Sequence, residues 1–366
     1  MKTPNLTDLA ASLPASVPFV GPETLERAKG QTFAARLGAN ESVFGPSPKA
    51  VEAMARAALE AWQYGDPENH DLKEALADHH SISPECIVIG EGIDGLLGYL
   101  VRLLVGQDDP VVTSLGAYPT FNYHVAGFGG ALHTVPYRDD AEDPEALANS
   151  AREVGAKLVY FANPDNPMGS WHDADTVTRL IEALPGETVL CLDEAYADFA
   201  PEGSVPPLDT TRPNLIRMRT FSKAYGLAGA RVGYAITHPD LALAFNKIRN
   251  HFGMSRVSVA GALAALEDQN WLAHVVAEVG TARERIGQIA RDNGLVPLPS
   301  ATNFVTLDCG RDGVFAKAAV DGLVARGVFV RMPFVAPQNR CIRVSAGKPA
   351  DLDAFATALP DVLANV

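Results

Sequence analysis

The sequence predicts an α/β fold: a mainly parallel sheet covered by helices on both faces, joined to a smaller α+β unit. Three observations carry that expectation. From about Val51, strand-like and helix-like segments alternate, as they do in parallel sheets connected by crossover helices. After about Asn250 the pattern changes to a long alanine-rich helical run followed by short strands. The chain has 366 residues, beyond the size at which a single core stops growing, so two domains are the default.

Taken in order, "AVEAMARAALEAW" reads as a helix and "CIVIG" and "PVVTS" as strands. "AKLVYFANP", "ETVLCLDEAY" and "NLIRMRTFS" are three more strands, with a helix-length spacer between the first two. Chemistry in such sheets collects at the carboxyl ends of the strands. The run "SVAGALAALEDQNWLAHVVAEVGTARERIGQIARDNG" reads as helix, and "NFVTLD" and "CIRVSAG" as strands of the smaller unit. The expected division is a large domain over 46–248, with 1–45 and 249–366 forming a small domain and an N-terminal arm. No internal repeat, low-complexity tract or like-charge block interrupts this order.

Composition narrows the function classes. Hydrophobic residues make up 47% and charged residues 20%, ordinary globular proportions. A formal charge of −14 repels nucleic acid and anionic membranes, although a few local arginines can still hold a small anion. Cys86, Cys191, Cys309 and Cys341 are far apart and form no C-x-x-C pair, so they read as buried thiols in a reducing compartment, with neither a disulfide frame nor a metal site. The start has the pattern of no secretory leader. Arg102 interrupts the best apolar run before it reaches the roughly 18 residues of a membrane span. The reading is of a cytoplasmic protein.

One glycine-rich stretch, "CIVIGEGIDGLLGYL", places Gly90, Gly92 and Gly95 between a strand and a helix start. Unpaired backbone N–H groups and the positive helix end converge at such a turn, which suits an anion. A dinucleotide, as in an NAD-dependent oxidoreductase, wants an acidic residue about 20 positions on, at the end of the next strand. Asp108 and Asp109 instead precede "PVVTSLG". A plain glycine turn and a different phosphate cofactor stay open at this point.

Three strands of the large domain end in polar groups: Asn163 and Asn166, then Asp193 and Tyr196, then Ser222, Lys223 and Arg231. Each alone has an ordinary structural reading as a turn former, helix cap or solvated cation. Together, an amine, a carboxylate, a phenol and a phosphate-binding turn at one sheet edge suit an aldehyde cofactor with a pyridine ring and a phosphate tail.

From "LGANESVFGPSP" to "RCIRVSAG", and most specifically in "TFSKAYGLAGARVGY", the chain resembles the fold-type I, pyridoxal-phosphate-dependent aminotransferases of class I/II. Asn40-Glu41 followed by Phe44-Gly45-Pro46 is similar to the motif of the histidinol-phosphate aminotransferase group. The resemblance implies pyridoxal 5'-phosphate as cofactor and a seven-stranded, mainly parallel sheet in the large domain. Lys223 would be the lysine that condenses with the aldehyde and later carries the proton, and Asp193 would pair with the pyridine nitrogen. Tyr196 and Asn166 would donate hydrogen bonds to the ring oxygen, and Tyr118 would lie on the ring face. The phosphate would sit on Gly92, Ile93 and Asp94, with Ser222 and Arg231 as side-chain donors and Tyr64 reaching in from a second subunit of a homodimer.

The same resemblance makes Arg331 and Arg343 the binders of the substrate's anionic group, with Asn40 and Phe19 also at the substrate site. Phe19 stands where the group carries a tyrosine, which removes a donor to the substrate phosphate. Met168, Ile93 and Gly95 also depart from the usual Thr, Ser and Glu, and Met168 with Phe19 is expected to leave a more apolar mouth. The expected reaction is transfer of an amino group from histidinol phosphate or an aromatic amino acid to a 2-oxo acid, 2-oxoglutarate foremost. Decarboxylation of a threonine-phosphate-type acid is the alternative within this cofactor class. A noncatalytic cofactor-binding regulator would need a DNA-binding segment, for which the residues before Asn40 are too few.

Overall fold

The computed structural model describes residues 5–15 and 19–366; Met1–Pro4 and Ser16–Pro18, parts of the expected N-terminal arm, lie outside the described residues. The strands in chain order are β1 (Ala35–Arg36), β2 (Ile87–Gly90), β3 (Pro110–Ser114), β4 (Ala131–Val135), β5 (Leu158–Ala162) and β6 (Val189–Asp193). They continue with β7 (Leu215–Thr220), β8 (Gly233–Thr237), β9 (Val296–Pro297), β10 (Phe304–Asp308), β11 (Val328–Phe329) and β12 (Cys341–Ser345). Seven of them form one sheet in the order β2-β8-β7-β6-β5-β3-β4. It is mainly parallel: β3, β4, β5, β6 and β7 pair in parallel, and β8 alone runs against its neighbours β7 and β2.

The sheet is buried from both sides, which is why its strands read as apolar runs. On β5 the side chains alternate between two cores. Leu158, Tyr160 and Ala162 meet Leu96, Leu100 and Phe121, from the helices Gly92–Leu104 and Pro119–Gly127. Val159 and Phe161 meet Leu147, Ala151 and Leu180, from the helices Pro144–Val154 and Ala174–Ala183. Strand β4 escapes a sequence reading because "ALHTV" sits at the sheet edge with four of its five residues partly or fully exposed.

Two features differ from expectation. The alanine-rich run is two helices, Arg256–Glu267 and Gln269–Asp292, separated at Asp268, whose φ of −99° and ψ of 62° are not helical. The halves serve different cores. Ala262, Ala265 and Leu266 pack with Ala50, Leu72 and Ile87, while Val275, Val279 and Ile286 pack with Phe304 and Phe355. The first helix of the chain's main body ends at Ala58 and does not reach Trp62. Leu59 and Trp62 are 83% and 82% exposed, so no buried face supports a further turn.

The smaller unit holds an antiparallel sheet in the order β12-β10-β9 and the short parallel pair β1-β11. After β1, Leu37 takes the Ser345 N–H of β12 and gives its own N–H to Phe329 of β11. An antiparallel bridge then sets Arg331 beside Arg343. No described helix is long and apolar enough to cross a membrane. The four cysteines are buried and free.

Candidate active site

The carboxyl ends of β5, β6 and β7 open into a cavity of about 340 Å³ lined by Asn166, Asp193, Tyr196, Ser222, Lys223 and Arg231. Parallel neighbours point the same way, so their ends and the loops after them converge. Asp193 closes β6 and is buried. Its Oδ2 accepts the Tyr160 phenol at 2.7 Å and its Oδ1 accepts the Ala195 N–H at 2.9 Å. Burial pushes the Asp193 carboxyl up to about 6, against the pull of those two hydrogen bonds and of Lys223. Lys223 is the only lysine lining this cavity or its neighbour among the described residues. Its Nζ donates to the Asn40 carbonyl at 3.1 Å and lies 5.5 Å from the centre of the Tyr196 ring.

The glycine turn makes the cavity's other wall. Gly92 has φ of +77°, and a Cβ there would lie 2.5 Å from Arg231 Nη2; a Cβ on Gly233 would lie 2.8 Å from the Gly92 carbonyl carbon. Only glycine lets the turn, β8 and the arginine approach so closely. Glu91, at the N-cap of the Gly92–Leu104 helix, makes no side-chain cap, so the first-turn N–H groups are left for a ligand. Arg231 adopts φ of +55°, a conformation that side-chain-bearing residues hold only where the surroundings impose it. Its Nη1 reaches Ser222 Oγ at 3.5 Å and its Nη2 lies 3.7 Å from Asp94 Oδ2. Tyr118 donates to Asp94 Oδ1 at 2.9 Å. Burial, with the Asp94 charge adding to it, holds that phenol protonated well above the ordinary tyrosine range.

A second cavity of about 400 Å³ shares Ala39, Tyr118, Asn166 and Lys223 with the first and is lined farther out by Phe19, Asn122, Arg331, Phe334 and Arg343. Arg343 Nη1 donates to Asn166 Oδ1 at 2.5 Å, its guanidinium lies 5.1 Å from the Phe304 ring centre, and its Nε is buried without an acceptor. Burial pushes the guanidinium down to about 10, the direction expected of a cation short of counter-charge. Arg331 is held below its usual range by the same cause. It donates to the Val20 carbonyl at 2.8 Å and lies 5.5 Å from the Phe19 ring.

The structure thus brings together Gly92, Ile93, Asp94, Tyr118, Asn166, Asp193, Tyr196, Ser222, Lys223 and Arg231 around the first cavity, and Phe19, Arg331 and Arg343 around the second. Asn40 lines the second cavity, but its amide is spent on the fold: Nδ2 donates to the Tyr196 phenol at 3.1 Å and Oδ1 accepts from Ser345 Oγ at 3.0 Å. Tyr64 lines neither cavity; it is 80% exposed, with its ring 5.1 Å from that of Phe252. Met168 is buried and also lines neither, so of the two residues expected to make the mouth apolar only Phe19 does.

Sequence reasoning missed several supports. Asp165 accepts the Tyr137 phenol at 2.8 Å and the Met168 N–H at 2.9 Å, and so fixes the turn that presents Asn166. Asn303 Nδ2 holds the Asn40 carbonyl at 3.0 Å. Tyr160 reaches Asp193 because Cys191 pairs with Tyr160, and Asp193 with Ala162, across β5 and β6. The strand period of two was available as a signal; the pairing register was not.

A mainly parallel sheet whose strand ends set a lysine, a buried carboxylate and an anion cradle around one cavity defines a class of enzyme that works on an amine through a bound phosphorylated cofactor. Residues 35–359 match the aminotransferase class I and II family, and the chain belongs to that family. A crystal structure of histidinol-phosphate aminotransferase from Sinorhizobium meliloti in complex with pyridoxal-5'-phosphate is 57% identical, with a TM-score of 0.96, covering 99% of this chain and 98% of that one. Histidinol-phosphate aminotransferase 1 of Mesorhizobium japonicum is 34% identical over 90% of each chain. An aromatic amino acid aminotransferase of Mycolicibacterium paratuberculosis is 34% identical over 87% of this chain and 89% of its own.

Proposed function

We propose that the protein is a pyridoxal 5'-phosphate-dependent aminotransferase that takes histidinol phosphate as amino donor and passes the amino group to a 2-oxo acid. The residues fit the cofactor: a cradle that a Cβ would fill, an arginine and a serine for phosphate, a buried carboxylate and one lysine. Bound there, pyridoxal 5'-phosphate supplies an aldehyde that takes up an amino group and a ring that accepts the electron pair left when a proton departs. Lys223 Nζ is the group at hand to move that proton, since it borders both cavities. Asp193 offers the negative charge that keeps a pyridine nitrogen protonated. Tyr118 walls the space between the two cavities.

The observation that carries the substrate reading is the Arg331–Arg343 bridge beside Lys223. Two arginines, one with a buried unpartnered Nε, suit a doubly charged anion such as a phosphate monoester. The likeness to the Sinorhizobium and Mesorhizobium proteins supports the same reading. Arg343 also suits the carboxylate of the acceptor, with 2-oxoglutarate the expected one. A second reading, an aromatic amino acid as donor, draws on Phe19 and Phe334 in the cavity wall and on the Mycolicibacterium relative. A donor panel decides: histidinol phosphate is expected to lead in kcat/KM, and a clear lead for phenylalanine or tyrosine would replace it.

The acting unit is a homodimer in the cytoplasm. Exposed Leu59, Trp62, Tyr64 and Phe252 form apolar surface suited to a second copy, with Tyr64 completing the copy's phosphate site. Sedimentation is expected to give a dimer, and a fully active monomer would refute this.

A further inference from the structure

We propose that Tyr160 is a positioning residue of the active site: its phenol holds the Asp193 carboxylate charged and aimed into the cavity. This rests on the reading of Asp193 as the partner of the cofactor's ring nitrogen, and goes beyond it by naming the group that keeps the carboxylate fit for that role.

The geometry is set by strand register. Tyr160 and Asp193 lie on the same face of adjacent parallel strands, Tyr160 opposite Cys191 and Asp193 opposite Ala162. The phenol therefore reaches diagonally to Oδ2 at 2.7 Å. The ring cannot swing away, because it is buried and stacked on Phe121 with centroids 4.7 Å apart and planes 19° apart. The other oxygen, Oδ1, is fixed by the Ala195 N–H at 2.9 Å. With both oxygens held, the carboxylate has one orientation, and Tyr160 itself lines the cavity beside it.

The phenol also matters electrostatically. A buried carboxylate tends to take up a proton, and a donor hydrogen bond to its charged form opposes that. The charged or titratable groups facing Asp193 are few. Lys223 favours the charged form and Asp94 disfavours it, while the Asp193 charge in turn pushes up Glu142 and Cys191. Among the side chains, Tyr160 gives the strongest support to the charge, ahead of Lys223. Burial and the neighbouring Asp193 keep the Tyr160 phenol protonated far above neutrality, so it acts as a donor over the whole working range.

The test titrates Asp193 in the cofactor-free protein, by infrared or carbon-13 NMR of labelled aspartate, with Asp193→Asn identifying the signal. Wild type is expected to titrate near 6. Tyr160→Phe keeps the stacked ring and is expected to raise the midpoint by about one to two units, the worth of a hydrogen bond to a charged group. In the holoenzyme the acidic limb of the kcat profile is expected to move up with it, with KM for the donor little changed. A protein carrying 3-fluorotyrosine at position 160, a stronger donor of nearly the same shape, is expected to shift the midpoint down, and it serves if the phenylalanine variant folds poorly. A midpoint that stays in place in either folded variant overturns the proposal. Absence of amino transfer by wild type would instead count against the functional reading, and the cofactor-free titration would still decide the role of Tyr160.

Discussion

The two cavities that meet at Lys223 are built in different ways. The inner one is made mostly from the carboxyl ends of sheet strands, the loops after them and the glycine turn after β2, with Ala39 and Glu41 added from the segment after β1. The outer one is assembled from distant pieces: Phe19 of the arm, Asn122 of a large-domain helix, and Arg331 and Arg343 of the smaller unit. In the proposed reading, the reaction chemistry, which tolerates little displacement, sits on the rigid frame. Recognition sits where segments can vary independently, as is common for binding residues. Of the departures from the family pattern, Phe19 falls on that second kind of ground, whereas Ile93 lines the inner cavity.

Substitutions on either side of Lys223 sharpen the contrast. The largest effect is expected from Lys223→Ala, with amino transfer falling by about 10⁴ or more; borohydride should then no longer fix the cofactor to the peptide containing position 223. Retained turnover would move the chemistry to another group. Next, Arg343→Ala removes a half-buried cation that faces the outer cavity, and kcat/KM should drop about 100-fold for donor and 2-oxo acid alike. A loss confined to the donor would leave the acceptor carboxylate to another residue. Smaller still, Phe19→Tyr should raise kcat/KM for histidinol phosphate about tenfold if the restored phenol reaches the phosphate, while leaving an aromatic donor unimproved. The ring's place 5.5 Å from the Arg331 guanidinium makes that reach short.

The smallest expected change concerns the turn between the cavities. Burial pushes the Asp165 carboxyl up to about 7, against its hydrogen bonds from Met168 and Tyr137. A group raised in the folded state stabilises it fully below the unfolded value of about 3.9 and loses that stabilisation as pH rises through the folded value. Wild type should therefore lose stability relative to Asp165→Asn between about pH 4 and 7 and run parallel to it above. Thermal midpoints of the two proteins across that range, differing by about a few degrees, provide the check; a constant difference would mean that Asp165 is charged throughout.

How much of this was legible in the chain follows the same division. The apolar runs "CIVIG", "LVYFA" and "VLCLD" marked sheet strands because burial on both faces leaves no polar alternation to confuse them. Their polar ends drew attention to Asp193, Asn166 and Lys223 only in combination, since each alone reads equally well as a cap, a turn former or a solvated cation. The edge strand β4 and the break at Asp268 were not legible, since one lies half in water and the other interrupts a run of good helix formers.

The sequence alone determined the alternating architecture and the glycine turn at Gly92, because period and turn chemistry are written within a dozen consecutive residues; the roles proposed for Lys223 and Asp193 came from the resemblance carried by "TFSKAYGLAGARVGY" and the strand ends beside it. Only the tertiary structure decided that Tyr160 bonds Asp193, that Asn40 is committed to Tyr196 and Ser345, that Met168 is buried away from the mouth, and that Arg331 stands beside Arg343 under the Phe19 ring. Those contacts join residues up to 312 positions apart, Phe19 to Arg331 being the widest. Strand register and the meeting of separate cores set them, and neither leaves a local mark in the chain.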